Sequence, residues 1–393
     1  MAKCPNCDAD VRWDAPSCGA CGAAFGTNAA WRPIPTNGAE AAQLGASYDV
    51  ATPEPAAAAP VIEKPDAAAT AANGPSGLPF HAFWPIVAGA LVGVALRVAF
   101  FGQPGRAYAA MMVSFIFLAP MVVGAVTVYL AERIRRRSSW YYLWAPFTAN
   151  LLFVGGTLMI MVEGWICAIV IFPLFAAVGM VGGVIMGIVC RTTNWPRHAL
   201  YSLAALPFVL GGLEGNMETP SRFGAVQRVV VIPAEPEVVW RQIMDAREIR
   251  PDEMDRAWIF RIGVPLPLAG VVEPSPDGPV RKIRMGKDVH FDQVFTERQE
   301  NRYAHWTYKL YPDSFPPYAL DDHVVVGGYY FDVRDTSYTL TPISEGTELR
   351  INMGYRVTTQ FNWYAEPLAR YLLGNFEEVV LKFYRRRSEA ING

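Results

Sequence analysis

Two long stretches of the chain are almost free of charged residues, and they constrain the fold more than any other feature of the sequence. Between residues 82 and 131 the only charged side chains are Arg97 and Arg106, and between residues 140 and 190 the only one is Glu163. A helix needs about 20 consecutive apolar residues to span the hydrocarbon core of a membrane. The two stretches therefore predict a protein with several transmembrane helices, and they exclude a simple soluble enzyme.

Within this region we distinguish five candidate membrane spans. They cover residues 83–101, 107–131, 141–162, 165–190 and 199–213. The fifth segment is the weakest, because it is short, contains Pro207 and ends beside a glycine pair, so a buried or re-entrant helix is the alternative. Together the segments predict a transmembrane region of about five helices over residues 83–214.

The arginines around these segments predict the orientation of the chain in the cell membrane. Cytoplasmic loops carry an excess of Lys and Arg. Residues 133–137 hold four arginines after the second segment, and Arg191 and Arg197 follow the fourth, whereas the loops near Arg106 and Glu163 are poor in positive charge. We therefore expect the N-terminus in the cytoplasm. With five crossings the C-terminal domain lies outside the cytoplasm, and with four it lies inside.

The composition of the remaining chain bears on its partners and on a linker. The net charge of −2 is not that of a basic nucleic-acid binder, so we expect no nucleic acid as partner. The apolar segments described above make the lipid bilayer an expected partner. Residues 32–80 are rich in Ala and Pro and contain only two aromatic side chains. Such a segment buries too little apolar surface to offset the entropy of ordering, and it predicts a disordered linker.

Four cysteines near the N-terminus form two CxxC pairs with ten residues between them. Structural zinc takes four thiolates in a tetrahedron, and each CxxC supplies two of them. A segment this small cannot fold on an apolar core alone, so a metal is the expected source of its stability. A redox-active pair is the alternative, but it would require a larger surrounding domain. We therefore predict a zinc ribbon over residues 1–31, with the metal bound by Cys4, Cys7, Cys18 and Cys21.

This cysteine pattern resembles the short zinc ribbon at the start of many bacterial membrane proteins. In that form CPxC is followed by CxxC; here the spacing is shorter than usual, and Asp8 stands where glycine is commoner. The ribbon is also a candidate contact for a protein partner. Cys167 and Cys190 lie in the apolar segments, and we interpret them as inert packing residues.

Residues 220–393 return to a normal charge density and show the period-two alternation of β-strands. The predicted strands cover residues 226–232, 280–285, 289–297, 303–310, 324–333, 337–342 and 348–358. Helices are predicted over residues 235–245 and 364–390, and Gly346 can take the left-handed conformation that a hairpin turn requires. This order predicts an α+β domain in which an antiparallel sheet wraps on a long C-terminal helix.

The same region resembles the START-like helix-grip fold of the SRPBCC superfamily, which includes polyketide cyclase/dehydrase-like proteins. The resemblance covers residues 224–390. It rests on VVVIPAEPEVVW at residues 229–240, GTEL at 346–349 and FEEVVL at 376–381. It implies a cavity between sheet and helix, and such cavities are mostly apolar with a few polar groups. The implied ligand is therefore a hydrophobic small molecule or lipid.

The candidate ligand-binding residues come from the aromatic strands and from the apolar face of the last helix. They are Trp306, Tyr308, Tyr330, Leu368, Leu372 and Phe376. Their side chains are large and apolar, as expected for the wall of such a cavity.

Histidines and aspartates in the same domain could form a general base. His290 and Asp292, however, alternate with Phe291 and therefore face away from an apolar core. Residues 321–323, which include Asp321, Asp322 and His323, follow a proline pair in a predicted loop. We expect all of these side chains, and His305, to be solvated, and we assign no catalytic residue.

The sequence thus predicts a multi-domain membrane protein with a zinc ribbon, a transmembrane helical bundle and a helix-grip domain that binds a hydrophobic ligand. Two alternatives remain. One is a membrane-tethered cyclase/dehydrase-like enzyme, which an open pocket with a converging His or Asp would favour. The other is an interaction scaffold without ligand, which a closed, filled core would favour.

Overall fold

The structure is a computed structural model of the 393-residue chain. It describes residues 2–3, 9–11, 18, 20, 34–35, 80–193, 197–254, 257–317 and 319–392. The chain divides into two compact units, Met1–Ser76 and Gly77–Gly393.

In the first unit the described residues form three short strands. Strand β1 (Ala2–Lys3) pairs antiparallel with β2 (Asp10–Val11) and with β3 (Ile34–Pro35). Of the predicted zinc ligands, Cys18 is buried, whereas Cys4, Cys7 and Cys21 lie outside the described residues. No group of metal-binding side chains occurs among the residues that the structure describes. The zinc site stays a prediction.

The second unit begins with five helices that contact one another. They are α1 (Phe80–Ala99), α2 (Val113–Ile134), α3 (Tyr141–Met159), α4 (Trp165–Thr192) and α5 (Arg197–Glu214). By length and composition, two of them, α2 and α4, are able to cross a membrane, and α1 and α5 are shorter apolar helices. The sequence predicts five membrane spans, whereas two helices of the described region have the length and composition of a span.

Glycines let these helices approach closely. A Cβ atom at Gly124 of α2 would overlap the carbonyl oxygen of Gly179 in α4, and one at Gly182 would overlap the carbonyl oxygen of Met121. Small residues of this kind allow backbone contact between helices in membranes. Gly155, in contrast, faces open space.

The second helix begins later than the sequence predicted. The predicted segment starts at residue 107, but residues 102–112 form turns, with Gly102 bridging to Ala109. Gly105, within these turns, has a φ of +73°. The apolar composition of this loop made it indistinguishable from the helix that follows.

An eight-stranded antiparallel sheet occupies most of the remaining chain. Its order is β4-β11-β10-β9-β8-β7-β6-β5. The strands are β4 (Ser221–Ile232), β5 (Asp245–Ala246), β6 (Pro267–Glu273), β7 (Val280–Met285), β8 (His290–Gln299), β9 (Tyr303–Lys309), β10 (Phe331–Ile343) and β11 (Gly346–Thr358). Interruptions of register near Pro267, Phe295 and Val333 mark β-bulges, which bend a strand and increase its twist.

Three helices complete this domain: α6 (Pro236–Met244), α7 (Trp258–Arg261) and the long α8 (Asn362–Asn392). Helix α8 packs on β4 and β11, and its apolar residues, such as Leu373 and Val380, join one core with residues of α6 and the sheet. This curled antiparallel sheet around a long helix fits the α+β helix-grip domain that the sequence predicted.

One predicted strand is wrong over most of its length. Residues 324–330 carry three valines and two tyrosines, which favour a strand, yet they form turns, and β10 starts only at Phe331. Gly327 has a φ of +78°, which a strand does not accommodate. Two short strands were not predicted. Strand β5 has only two residues, and β6 begins at a proline and has Gly270 at its centre.

The helix-grip domain contacts one end of the helical bundle. The hydroxyl of Tyr364 in α8 donates a hydrogen bond of 2.5 Å to the carbonyl oxygen of Val170 in α4. The Asp321 carboxylate, in the loop before β10, accepts a hydrogen bond of 3.1 Å from the Cys167 amide in the first turn of α4. A carboxylate at this place stabilises the N-terminus of the helix.

Candidate functional site

A cavity of about 340 Å³ lies between the sheet, helix α8 and the adjoining end of the helical bundle. The sheet contributes side chains such as Ile283 and Phe291, and the bundle contributes Phe115, Phe153 and Phe175. The walls are mainly aliphatic and aromatic, so the cavity suits an apolar molecule.

Most of the predicted ligand-binding residues lie around this cavity. Tyr308, Tyr330, Leu368, Leu372 and Phe376 line it. They come from strand β9, from the loop before β10 and from successive turns of α8, and the curl of the sheet brings them together.

Trp306 is the exception, because it does not line the cavity. Its side chain is fully buried, with ring centroids 5.5 Å from Phe295 and 5.2 Å from Tyr338. The guanidinium of Arg281 lies 5.4 Å from the centre of its ring. The indole therefore packs in the core behind the cavity wall and supports Arg281.

A row of polar side chains crosses the sheet at the cavity surface. It consists of Arg281 on β7, Gln293 on β8, Tyr308 on β9 and Thr336 on β10. Nη1 of Arg281 donates to Oε1 of Gln293 at 2.6 Å, and the hydroxyl groups of Tyr308 and Thr336 are 2.6 Å apart. These four residues are here called the polar row; Tyr338 on β10 also lines the sheet side of the cavity.

A second polar group lies at the bundle end of the cavity and consists of Arg97, Glu163 and His323. Nε of Arg97 donates to Oε1 of Glu163 at 2.5 Å, and Nε2 of His323 is 3.7 Å from Oε2 of the same carboxylate. Burial acts to raise the pKa of Glu163, but the hydrogen bond and charge of His323, together with Arg97, outweigh it and lower that pKa. The carboxylate therefore stays ionised and links α1 to the loop before β10.

The position of His323 corrects the prediction that it is solvated. Its side chain is 15% exposed, borders the cavity and contacts the ring of Tyr330 edge-on, 5.6 Å away. Asp321 is also engaged, through the amide of Cys167. The loop that carries both residues packs on the bundle, and this packing is not visible in the sequence of the domain alone.

The other two histidines lie away from the cavity, as expected. His290 is half-exposed, and its Nε2 is 3.6 Å from Oδ1 of Asp313. Nε2 of His305 is 3.5 Å from Oδ1 of Asp335. Neither histidine lines the cavity. They offer no general base to a molecule bound inside.

Sequence reasoning missed the roles of Arg281, Gln293 and Glu163. For Arg281 the signal was present: it alternates with exposed Lys282 and Arg284, and it shares the inner face of β7 with Ile283. A basic residue on the inward face of a strand indicates either a buried partner or a ligand. Glu163 gave no such signal, because its partners are distant in sequence.

Helix α8 also carries a buried carboxylate outside the cavity. Glu377 has no exposed surface, and burial raises its pKa to about 8, although Arg228 and the Met353 amide act in the opposite direction. Between pH 4.5 and about 8, Glu377 is therefore protonated in the folded protein and ionised in the unfolded chain, where its pKa is 4.5. Stability should accordingly fall as the pH rises between these two values.

We expect the free energy of unfolding to decrease by about 1 kcal/mol per pH unit between pH 5 and 8 through Glu377 alone. Glu377→Gln should reduce this slope, because glutamine does not titrate. Glu378→Gln is the control, because Glu378 is exposed and pairs with Lys382 at 2.7 Å. Chemical denaturation across this pH range measures the slope; an unchanged slope in Glu377→Gln would contradict the assignment.

The comparisons with known proteins are limited to solved structures of low similarity. No protein-family model and no curated protein matches the chain. An uncharacterized protein from Rhizobium leguminosarum is 11% identical, with 44% of this chain and 99% of that chain covered and a TM-score of 0.28. The AHSA1-like protein from Aeromonas hydrophila is 14% identical, with 43% and 94% covered and a TM-score of 0.25.

A protein from Thermus thermophilus is 18% identical, with 43% of this chain and all of that chain covered and a TM-score of 0.28. With TM-scores this low, we base the fold on the strand order and helix packing given above.

Proposed function

We propose that this chain is a membrane-anchored binding protein whose helix-grip domain holds a hydrophobic small molecule or lipid. The observation that carries the proposal is the cavity of about 340 Å³ lined by the sheet, α8 and the bundle. A volume in this range is typical of small-molecule sites. An interaction scaffold with a filled core would not leave such a space.

The surface of the bundle supports membrane anchoring. Large apolar side chains are exposed on its outside, among them Leu91, Leu151, Val181, Ile188 and Val209. Exposed apolar surface is where a protein contacts a membrane or a partner. Trp140, just before α3, and Trp165, the first residue of α4, are also exposed and lie at opposite ends of the bundle, as expected for the two membrane interfaces.

We further propose a multi-pass topology with a cytoplasmic N-terminus and an extracytoplasmic helix-grip domain. Support comes from the four arginines at residues 133–137, which lie in the last turn of α2 and just after it. The last residue of α5, Glu214, accepts hydrogen bonds from the amides of Val113 and Ser114 at the opposite end of α2. Reporter fusions after Arg137 and after Gly393 should report opposite sides of the membrane. The same side for both would contradict five crossings.

The binding proposal is tested by native mass spectrometry of the full-length protein released from detergent. We expect a mass shift that corresponds to one retained lipid or metabolite in each chain. Extraction into organic solvent should remove the shift, and the extract should contain the same compound. Protein that carries no adduct, and that gains none after incubation with a membrane lipid extract, would contradict the proposal.

The zinc ribbon remains a separate proposal, resting on the two CxxC pairs. We expect the full-length protein, purified under reducing conditions, to contain one zinc ion that is lost when Cys4 and Cys7 are replaced by serine. Elemental analysis measures the metal content. Wild-type protein without zinc would contradict the ribbon and its suggested role as a contact for a protein partner.

A further inference from the structure

Two buried arginines line the cavity, and only one of them has an acidic partner among the described residues. Arg97 forms an ion pair with Glu163, whereas Arg281 forms no ion pair with any residue that the structure describes. Buried charges in proteins are normally paired, because removing a lone ion from water is costly. The missing negative charge beside Arg281 therefore needs an explanation.

The protein groups around Arg281 are neutral. Its Nε donates to the carbonyl oxygen of Ile243 at 2.9 Å, its Nη1 to Gln293 at 2.6 Å and its Nη2 to the hydroxyl of Tyr384 at 3.0 Å. Burial raises the pKa of Tyr308 to about 12 and that of Tyr338 well above its usual value, so both phenols stay protonated. None of these side chains supplies the missing charge.

Arg281 also keeps hydrogen-bonding capacity for a ligand. A guanidinium group has five N–H donors, and three are used, which leaves one on each terminal nitrogen. A carboxylate or phosphate commonly accepts two N–H groups from one guanidinium. Gly270 leaves the space that the group occupies, because a Cβ there would lie 2.5 Å from Nη2 of Arg281.

We propose that the ligand is a single-chain amphiphile whose anionic headgroup, a carboxylate or phosphate, binds Arg281. Its apolar chain extends along α8 towards Phe115 and Phe153 of the bundle, which line the same cavity. The volume of about 340 Å³ is near the lower limit for small-molecule pockets, which favours one chain. This inference rests on the proposed binding function and specifies its ligand class.

Native mass spectrometry of the full-length protein with three matched probes tests the inference. Palmitate, hexadecyl phosphate and hexadecanol share one alkyl chain and differ only in the headgroup. We expect at least one of the two anions to be retained about tenfold to a hundredfold more than the alcohol, as for hydrogen bonds to a charged group. The preferred anion identifies the headgroup.

Two variants attribute this preference to Arg281. Arg281→Gln should abolish the preference, so that the two anions and hexadecanol are retained about equally. Arg284→Gln should keep the preference, because Arg284 is on the exposed face of the same strand. If Arg281→Gln does not fold, the comparison of the three probes on the wild-type protein still decides between an anionic and a neutral headgroup.

Equal retention of the anions and the alcohol by the wild-type protein would overturn the anionic headgroup and leave the binding function standing. Retention of none of the three probes would overturn this inference, and absence of any adduct from a membrane lipid extract as well would overturn the binding function. Equal loss of preference in Arg281→Gln and Arg284→Gln would show a surface-charge effect and overturn the assignment to Arg281.

Discussion

Replacing Glu163 by glutamine is expected to destabilise the protein by about 3–5 kcal/mol, because the buried Arg97 then loses its counter-charge. The pair is short, 2.5 Å, and both side chains are largely enclosed. For a chain of 393 residues the loss corresponds to a fall in melting temperature of roughly 5 °C. Thermal unfolding in detergent measures it.

The matched control is Glu366→Gln. Glu366 pairs with Arg370 at 2.6 Å, but Arg370 is mostly exposed, and such pairs contribute about 0–1 kcal/mol. The double variant Arg97→Met, Glu163→Leu should recover most of the stability, since removal of both charges leaves none unpaired. Similar melting temperatures for Glu163→Gln and Glu366→Gln would contradict the ion-pair account.

Replacing Leu372 by glutamine is expected to reduce ligand retention about tenfold or more. Leu372 lies on the cavity face of α8, and glutamine there would place an amide against apolar walls without a partner. The same change should cost about 1–3 kcal/mol of stability. Retention of the adduct in native mass spectrometry is the first measurement.

Thermal unfolding with and without added palmitate separates the two effects, because a molecule that binds only the folded state raises its stability. The wild-type protein should show a shift that Leu372→Gln lacks. Glu378→Gln, an exposed change on the same helix, should retain the shift. A full shift in Leu372→Gln would exclude this face of α8 from the binding site.

Local patterns in the sequence were sufficient where one face of a strand or helix meets the core. The prediction for Val280–Met285 has the bounds of β7, where exposed Lys282 and Arg284 flank buried Ile283. The long helix was predicted over residues 364–390 and extends from Asn362 to Asn392. In both cases the spacing of the buried residues can be read from the sequence of the strand or helix alone.

The bundle end of the cavity could not be predicted in this way. Arg97 and Glu163 are 66 positions apart, and His323 belongs to another domain, so their contact depends on how the bundle and the sheet pack together. The turn around Gly327 was missed for a different reason. There the preference of valine for strands was overridden by one backbone conformation with positive φ.

The central claim, that a hydrophobic molecule occupies the cavity, is tested most directly by photo-crosslinking with a fatty acid that carries a diazirine on its alkyl chain. The full-length protein is irradiated with the probe in detergent, and the labelled residues are mapped by mass spectrometry. We predict label on Leu368, Leu372 or Phe376 of α8, and loss of that label when excess palmitate is added. Label confined to outward-facing bundle residues such as Leu151 and Val181 would contradict the claim.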